Sequence, residues 1–394
     1  MSDRRTALIV SCTAHIVQDG LTAATYVLLP LLAQAFGFTY AQVGLFKGVK
    51  SLTQGILELG SGILSERIGA GRTLVFGLIC AGIGYSLLAT ASEAAIAVLC
   101  LLIVGVGSAF QHAPASAIIT ATFASGGRRG ALGLYNSSGD AGKLAFSGAF
   151  SLAIGAGLAW QQIALSYGLI ALMAAAGVAA AMWALHRGLP GRRILDRRRA
   201  QAEDAAGWGI LHRQSYCLLL VTVFLDNVVQ AGTLVFVSFL MLSKGFPLYL
   251  GTVAPVLVLA GGIFGKAGCG YLAERAGVRR AFALAQIVTA LGLAGIVLAP
   301  GWLAFALLPP LGVFAQGSTS ITYGIVADVV HTSRAARGFA LMYGSTSFAS
   351  ALGPYAFGLL GDQFGIGSAM MAMAIIALLA VVPLFLLSAT KVAT

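Results

Sequence analysis

Apolar residues run along this chain in blocks of about twenty or more, separated by short polar turns, with no strict alternation of polar and apolar positions. A block of that length crosses the hydrocarbon core of a bilayer as a helix, which satisfies its own backbone hydrogen bonds there. The alternating pattern of a membrane barrel is missing. The blocks predict twelve transmembrane helices, over 6–33, 41–65, 72–92, 94–124, 129–157, 163–187, 214–242, 249–273, 280–299, 302–330, 336–360 and 366–390. All connections are short except residues 187–213, a hydrophilic, Arg-rich stretch. It reads as a cytoplasmic linker, in part an amphipathic helix on the inner leaflet, between an N-terminal bundle over 1–186 and a C-terminal bundle over 214–394.

The two halves repeat each other. Gly62-Ile-Leu-Ser-Glu66-Arg67-Ile-Gly69-Ala-Gly-Arg72 ends the second block, and Gly270-Tyr-Leu-Ala-Glu274-Arg275-Ala-Gly277-Val-Arg279-Arg280 ends the eighth, with Glu66 and Glu274 208 residues apart. Arg129-Gly130 recurs as Arg337-Gly338 and Tyr135 as Tyr343 at the same offset, and Asp19 is matched by Asp226 at 207. A charged turn occurring twice at half the chain length marks a duplicated membrane domain.

Composition agrees with that reading. Charged residues make up 9% of the chain and hydrophobic residues 58%, against about 25% charged in soluble proteins. Mean hydropathy is +0.91. A net charge of +11 could suggest nucleic acid as a partner, so its placement decides. Outside the spans every Lys and Arg except Lys244 falls on the side of the N-terminus. That asymmetry is the positive-inside rule: it sets both termini in the cytoplasm of an inner-membrane protein and leaves nucleic acid out. Arg4 and Arg5 before an apolar run resemble the start of a signal peptide, but the run is long and carries Asp19, so it reads as a retained first helix. Cys12, Cys80, Cys100, Cys217 and Cys269 stand singly in apolar surroundings and read as small buried hydrophobes.

Six plus six helices with this charged turn after the second of each half resemble the major facilitator superfamily, whose turn reads Gly-x-x-x-Asp-Arg-x-Gly-Arg-Arg. Both copies here carry Glu for Asp, and the first has one extra residue before Arg72. The resemblance implies that Gly62, Glu66, Arg67, Gly69 and Arg72, with Gly270, Glu274, Arg275, Gly277 and Arg280, brace a cytoplasmic gate, the acid pairing with nearby basic groups and a helix end. It implies further that helices 1, 4, 7 and 10 line a cavity, with Asp19 and Asp226 facing it, while helices 2, 5, 8 and 11 form moving walls. A narrower likeness is to fosmidomycin-resistance-type exporters. It rests on His15-x-x-x-Asp19, on Gly105-Val-Gly-Ser-Ala-Phe-Gln-His112-Ala-Pro114, and on Gly127-Arg-Arg-Gly130. Gln111 splits the Phe-His pair of that family, and Ala113 separates His112 from Pro114.

Charges inside the spans carry the chemistry. A charged side chain near the bilayer centre costs roughly 2.5–3.5 kcal/mol, so such groups face a cavity or each other. The spans hold Asp19, Lys47, Lys50, Glu58, Asp140, Lys143, Asp226 and Lys266, four acids against four lysines. Lys47, Lys50, Gln54 and Glu58 fall on one stripe of helix 2, and Asp140 and Lys143 are spaced to pair within helix 5. The expected proton-coupling groups are Asp19, Asp226 and His15. The expected substrate contacts are Lys47, Lys50, Gln54, His112, Tyr135, Asn136, Asp140 and Lys143, and Glu58 and Lys266 are expected at the gate. Bland readings stand beside these. Lys47 or Lys50 can snorkel to the surface, Asp140–Lys143 can be a structural latch, and His112 can sit at a polar kink beside Pro114.

No phosphate-binding loop is present, so an ion gradient, most simply of protons, is the expected driving force. An enzyme would need a constellation such as Asp328 and His331, which lacks a nucleophile or a ligand set. The expectation is a monomeric secondary transporter of a small anionic or zwitterionic organic compound, export favoured, with no cofactor and no resident metal. Efflux of cationic, lipophilic drugs through Asp19 and Asp226 is the alternative. A metal exporter is the weaker case, since His15 and Asp19 have no evident third ligand.

Overall fold

The computed structural model describes residues 2–123, 127–186, 210–330 and 335–386. Most of the expected linker, 187–209, and the residues His331 and Arg334 lie outside the described residues. So do the side chains of Glu66, Arg128, Arg129, Asp328 and Arg337. Regular structure among the described residues is helical: α1 Ser2–Phe36, α2 Tyr40–Ile68, α3 Ala70–Leu88, α4 Ala94–Ala109, α5 His112–Thr122, α6 Arg128–Gly155, α7 Trp160–His186, α8 Arg213–Ser243, α9 Leu248–Ala276, α10 Val278–Leu298, α11 Gly301–Ala306, α12 Leu308–Val329, α13 Ala335–Phe364, α14 Ile366–Leu379 and α15 Val381–Phe385. An isolated antiparallel bridge joins Ile210 to Val330.

These helices form twelve spans because three spans are broken, each for the same reason. Proline has no N–H and its ring crowds the carbonyl four residues back, which kinks or breaks a helix. Pro114 breaks the fourth span at Phe110-Gln111, between α4 and α5. Pro309 and Pro310 open α12 just after the break at Leu307. Pro383 lies in α15, and Ala380 separates it from α14. Pro30, Pro255 and Pro354 sit inside continuous helices.

The duplicated turn is duplicated in conformation. Gly69 precedes α3 at φ 95°, ψ 138°, and Gly277 precedes α10 at φ 80°, ψ 148°. A side chain at either position would be strained, so glycine is required wherever α2 hands over to α3 and α9 to α10.

The chain divides into two compact units, Met1–Leu28 with Val49–Gln201, and Leu29–Gly48 with Ala202–Thr394. In the first, α3 packs against α4, α5 and α7. In the second, α8 packs against α9, α12, α13 and α14, and α10 against α12 and α14. Tyr216, Leu219, Val223, Phe282, Ala285, Ile321 and Ile325 form part of its core. The α9–α12 pair is seamed by glycine. A Cβ on Gly261 would collide with the Pro309 carbonyl, one on Gly265 with the Val313 carbonyl, and one on Gly312 with the Val258 carbonyl. Small residues of this kind let membrane helices approach closely. Also in the second unit, the Asp362 carboxylate of α13 accepts hydrogen bonds from the backbone N–H of Tyr40 (2.7 Å) and Ala41 (3.0 Å), capping α2 from 322 residues away in sequence.

Burial differs by span. In the most apolar window, 83% of α1 and 67% of α8 is buried, more than in any other span that meets the same length and hydropathy standard. Large side chains such as Leu152, Phe264, Leu291 and Leu298 point outward, as lipid-facing residues do.

Candidate functional site

In the first unit the residues singled out in α1, α5 and α6 converge. Asp19 and His15 lie one turn apart on α1, with His15 Nε2 3.2 Å from Asp19 Oδ2. The same carboxylate oxygen lies 3.1 Å from Lys143 Nζ, and Lys143 lies 3.1 Å from Asp140 Oδ1. One ammonium is therefore shared by two carboxylates. The side chains of Asp19 and Asp140 are 10% and 17% exposed and that of Lys143 is 31% exposed, so the pair expected within α6 becomes a chain of three charges with one end in α1.

His15 is fixed from both faces. Its Nδ1 lies 2.8 Å from the Tyr135 carbonyl, which only accepts, so Nδ1 carries the proton. The Tyr135 ring stacks on it at 4.0 Å between centroids, and His112 approaches edge-on at 5.3 Å. Gln111 Nε2 reaches the Tyr135 hydroxyl at 3.4 Å. The bend ahead of Pro114 thus brings α5 to α1 and α6, and one nitrogen of His112 falls within 4.8 Å of ligand atoms on His15 and Asp19. Asn136, also expected at the site, is exposed and outside this cluster.

On α2, Lys50 is fully buried, and its ammonium donates to Thr22 Oγ1 at 3.1 Å and to Gln54 Oε1 at 3.5 Å. Its head group turns inward, so it does not snorkel. Lys47 is buried as well. The side chain of Glu58 is half-buried and makes no ion pair or hydrogen bond among the described residues.

The second unit builds a different site around Asp226. Gln286 Nε2 donates to Oδ1 at 2.6 Å, Gln230 Nε2 to Oδ2 at 2.8 Å, and the Ser318 hydroxyl reaches both oxygens at 2.9 and 3.0 Å. Thr319 bonds Gln230 in turn. All the donors are neutral, and no cationic side chain pairs with Asp226 among the described residues. Sequence reasoning found Asp226 and missed its partners. Gln230, one turn on, was the legible one, while Gln286 and Ser318 come from helices 60 and 92 residues away.

The residues of the charged turns lie at the ends of α2 and α9 and the starts of α3 and α10. Arg67, Arg72, Glu274, Arg275 and Arg280 are exposed, and Arg275 lies over the Tyr271 ring at 4.7 Å. Glu274 makes no ion pair among the described residues. Gly62, Gly270 and Lys266 lie within α2 and α9, Lys266 one turn before Gly270.

A family model for the Major Facilitator Superfamily matches residues 12–308 and 263–393. Two solved structures of a bacterial homolog to the human lysosomal transporter Spinster share the fold. The inward-facing, occupied form superposes with a TM-score of 0.79 at 15% identity over 98% of both chains. The inward-facing, unoccupied form gives 0.79 at 16% identity over 99% of this chain and 98% of the other. No curated protein matches the chain.

Proposed function

The chain belongs to the major facilitator superfamily, and from that premise we propose that it is a proton-coupled exporter of a small anionic or zwitterionic organic compound. It is a multi-pass membrane transporter and not an enzyme. In our reading the chain, with an N-terminal bundle over 1–186 and a C-terminal bundle over 214–394, works by alternating access, as a monomer in the inner membrane with both termini cytoplasmic.

The observation that carries the substrate class is the shared ammonium of Lys143, 3.1 Å from each of two carboxylates and partly open to the surface. A zwitterion matches that pattern. Its anionic end takes Lys143, and its cationic end takes the carboxylate that Lys143 releases. A simple anion uses Lys143 alone, with Lys50 adding positive potential from α2. With a zwitterion the exchange conserves ion pairs, so it avoids the cost of an unpaired charge in low dielectric.

The proton is assigned to Asp226. Protonating Asp19 would break an ion pair with Lys143, whereas protonating Asp226 removes a buried charge that only neutral donors meet. Asp19 and His15, first in line from sequence, become the substrate end of the machine in this scheme. A second reading has its own observation: an unneutralised Asp226 is also a seat for a lipophilic organic cation.

Proteoliposomes with an imposed pH gradient test this, challenged with organic anions, zwitterions and cationic dyes. Native protein should dissipate the gradient with an anion or zwitterion. Asp226→Asn should keep substrate exchange and lose the response to pH, and Lys143→Gln should lose both. Gradient-driven transport that survives Asp226→Asn would refute the proton assignment. A response to cations alone would favour the drug-efflux reading.

A further inference from the structure

We propose that His15, Asp19 and His112 form a binding site for a divalent first-row transition-metal ion of the Co²⁺, Ni²⁺ or Zn²⁺ class. His15 Nε2, a carboxylate oxygen of Asp19 and a ring nitrogen of His112 lie within 4.8 Å of one another. Two imidazoles and a carboxylate are the donor set that such ions take, with a further position left for water or cargo. Ligand atoms around a tetrahedral ion sit about 3.3 Å apart, given bonds of about 2.0–2.1 Å. His15 and Asp19 already meet that spacing at 3.2 Å. Only His112 has to move, by up to about 1.5 Å, and it stands at the first position of α5, next to the helix break.

Three observations point to a ligand here. The first is the unpaired nitrogen. His15 is 4% exposed, and its Nε2 makes no hydrogen bond even though Asp19 Oδ2 is 3.2 Å away. In the neutral tautomer that carries its proton on Nδ1, Nε2 presents a lone pair toward the carboxylate oxygen, an arrangement that a cation between them makes attractive. The second is the support behind the ring. Donation from Nδ1 to the Tyr135 carbonyl and stacking on Tyr135 fix tautomer and orientation, the outer-shell arrangement that metal-ligating histidines use. The third is the facing helix. Gly139 of α6 packs against the cluster, and a Cβ there would fall 2.6 Å from His15 Nε2 and 2.9 Å from Asp19 Oδ2. Any larger residue at that position would press on both ligand atoms.

Lys143 sets the terms of entry. Its ammonium lies 3.1 Å from the same Asp19 oxygen, so an incoming metal ion competes with it. The lysine has somewhere to go, because Asp140 already holds it at 3.1 Å. Asp19, Asp140 and Lys143 carry a formal net charge of −1; a divalent ion makes it +1, which an anionic ligand in the open position offsets. The cargo would then be a metal-chelating organic acid, a corollary that rests on the transport reading. The metal site itself does not.

The test is Co²⁺ binding to purified full-length protein in detergent, read by calorimetry and by the visible d–d bands of the bound ion. Native protein should bind one equivalent saturably with the strong bands of tetrahedral coordination. His112→Gln and Asp19→Asn should each weaken binding by at least about tenfold and lose the bands. Gly139→Ala should do the same by pressing a methyl group onto both ligand atoms. Lys143→Gln should tighten binding by at least about tenfold, because a nearby like charge is removed. Chromatographic homogeneity and helical circular dichroism confirm that each variant is folded. No saturable binding by native protein, unchanged bands in His112→Gln and Asp19→Asn, or weaker binding in Lys143→Gln would overturn the proposal. None of these readouts depends on transport.

Discussion

Replacing Lys143 by Gln should destabilise the protein far more than replacing Asp19 by Asn, although both changes break the same 3.1 Å ion pair. The asymmetry follows from how many groups each change strands. Asp19→Asn leaves Lys143 its second partner, Asp140, and costs about 1 kcal/mol, the scale of one hydrogen-bonded contact. Lys143→Gln leaves two mostly buried carboxylates without an ammonium. Breaking a fully buried pair costs about 3–5 kcal/mol, and the 31% exposure of Lys143 brings that down through water access. About 2–3 kcal/mol is the expected loss. In the double variant only Asp140 is stranded, so the two changes should add to about 1–2 kcal/mol less than their sum. Reversible unfolding in mixed micelles of increasing dodecyl sulfate content, followed by helical circular dichroism, gives all three values. Equal single effects that add within about 0.5 kcal/mol would refute the shared-ammonium account.

Two further changes test the packing. Gly265→Ala should cost at least about 1–3 kcal/mol through overpacking against the Val313 carbonyl, while Gly268→Ala, which opens onto free space, should be neutral or slightly stabilising in the same unfolding assay. Asp362→Ala removes the acceptor for the first two amides of α2 and should cost about 1 kcal/mol, most of which Asp362→Asn should recover; equal losses in the two variants would show that the cap is not what Asp362 supplies.

What was legible in the sequence was whatever has a local or periodic cause. Span length, the 208-residue repeat and the Asp140–Lys143 spacing each follow from helix geometry or bilayer thickness, and the structure carries all three. The repeated glycine before α3 and α10 was visible as a letter, and its positive φ explains why it recurs. A kink beside Pro114 was legible, but the breaks at Leu307 and Ala380 were not foreseen, since hydropathy runs straight through them. The prolines that cause them sit three or so residues later. His112 was singled out as a site residue, but its convergence with His15 and Asp19 was not: the break turns it toward α1, and no spacing between residues 15 and 112 encodes that. Gln286 and Ser318 look like ordinary polar residues in apolar helices until Asp226 gives them a purpose. Sequence symmetry also suggested that Asp19 and Asp226 are equivalents. Their surroundings are opposite, two cationic or ionisable neighbours for one and neutral donors for the other.

The glycine seam between α9 and α12 has a mechanical consequence. Lipid supplies no hydrophobic force between helices, so the seam is held by dispersion and by short contacts of Cα–H groups with carbonyls, and a gap of about 0.5–1 Å already forfeits a quarter to a half of the dispersion. Such a joint does not slide or stretch; it is either closed or parted. From Pro309 to Gly317 the two helices therefore travel as one beam. The beam ends at the Leu307 break, beyond which lies α11, a lever of six residues, Gly301–Ala306. Bending in this part of the second unit should concentrate at that break, and stiffening it should hinder motion without touching a single charged group.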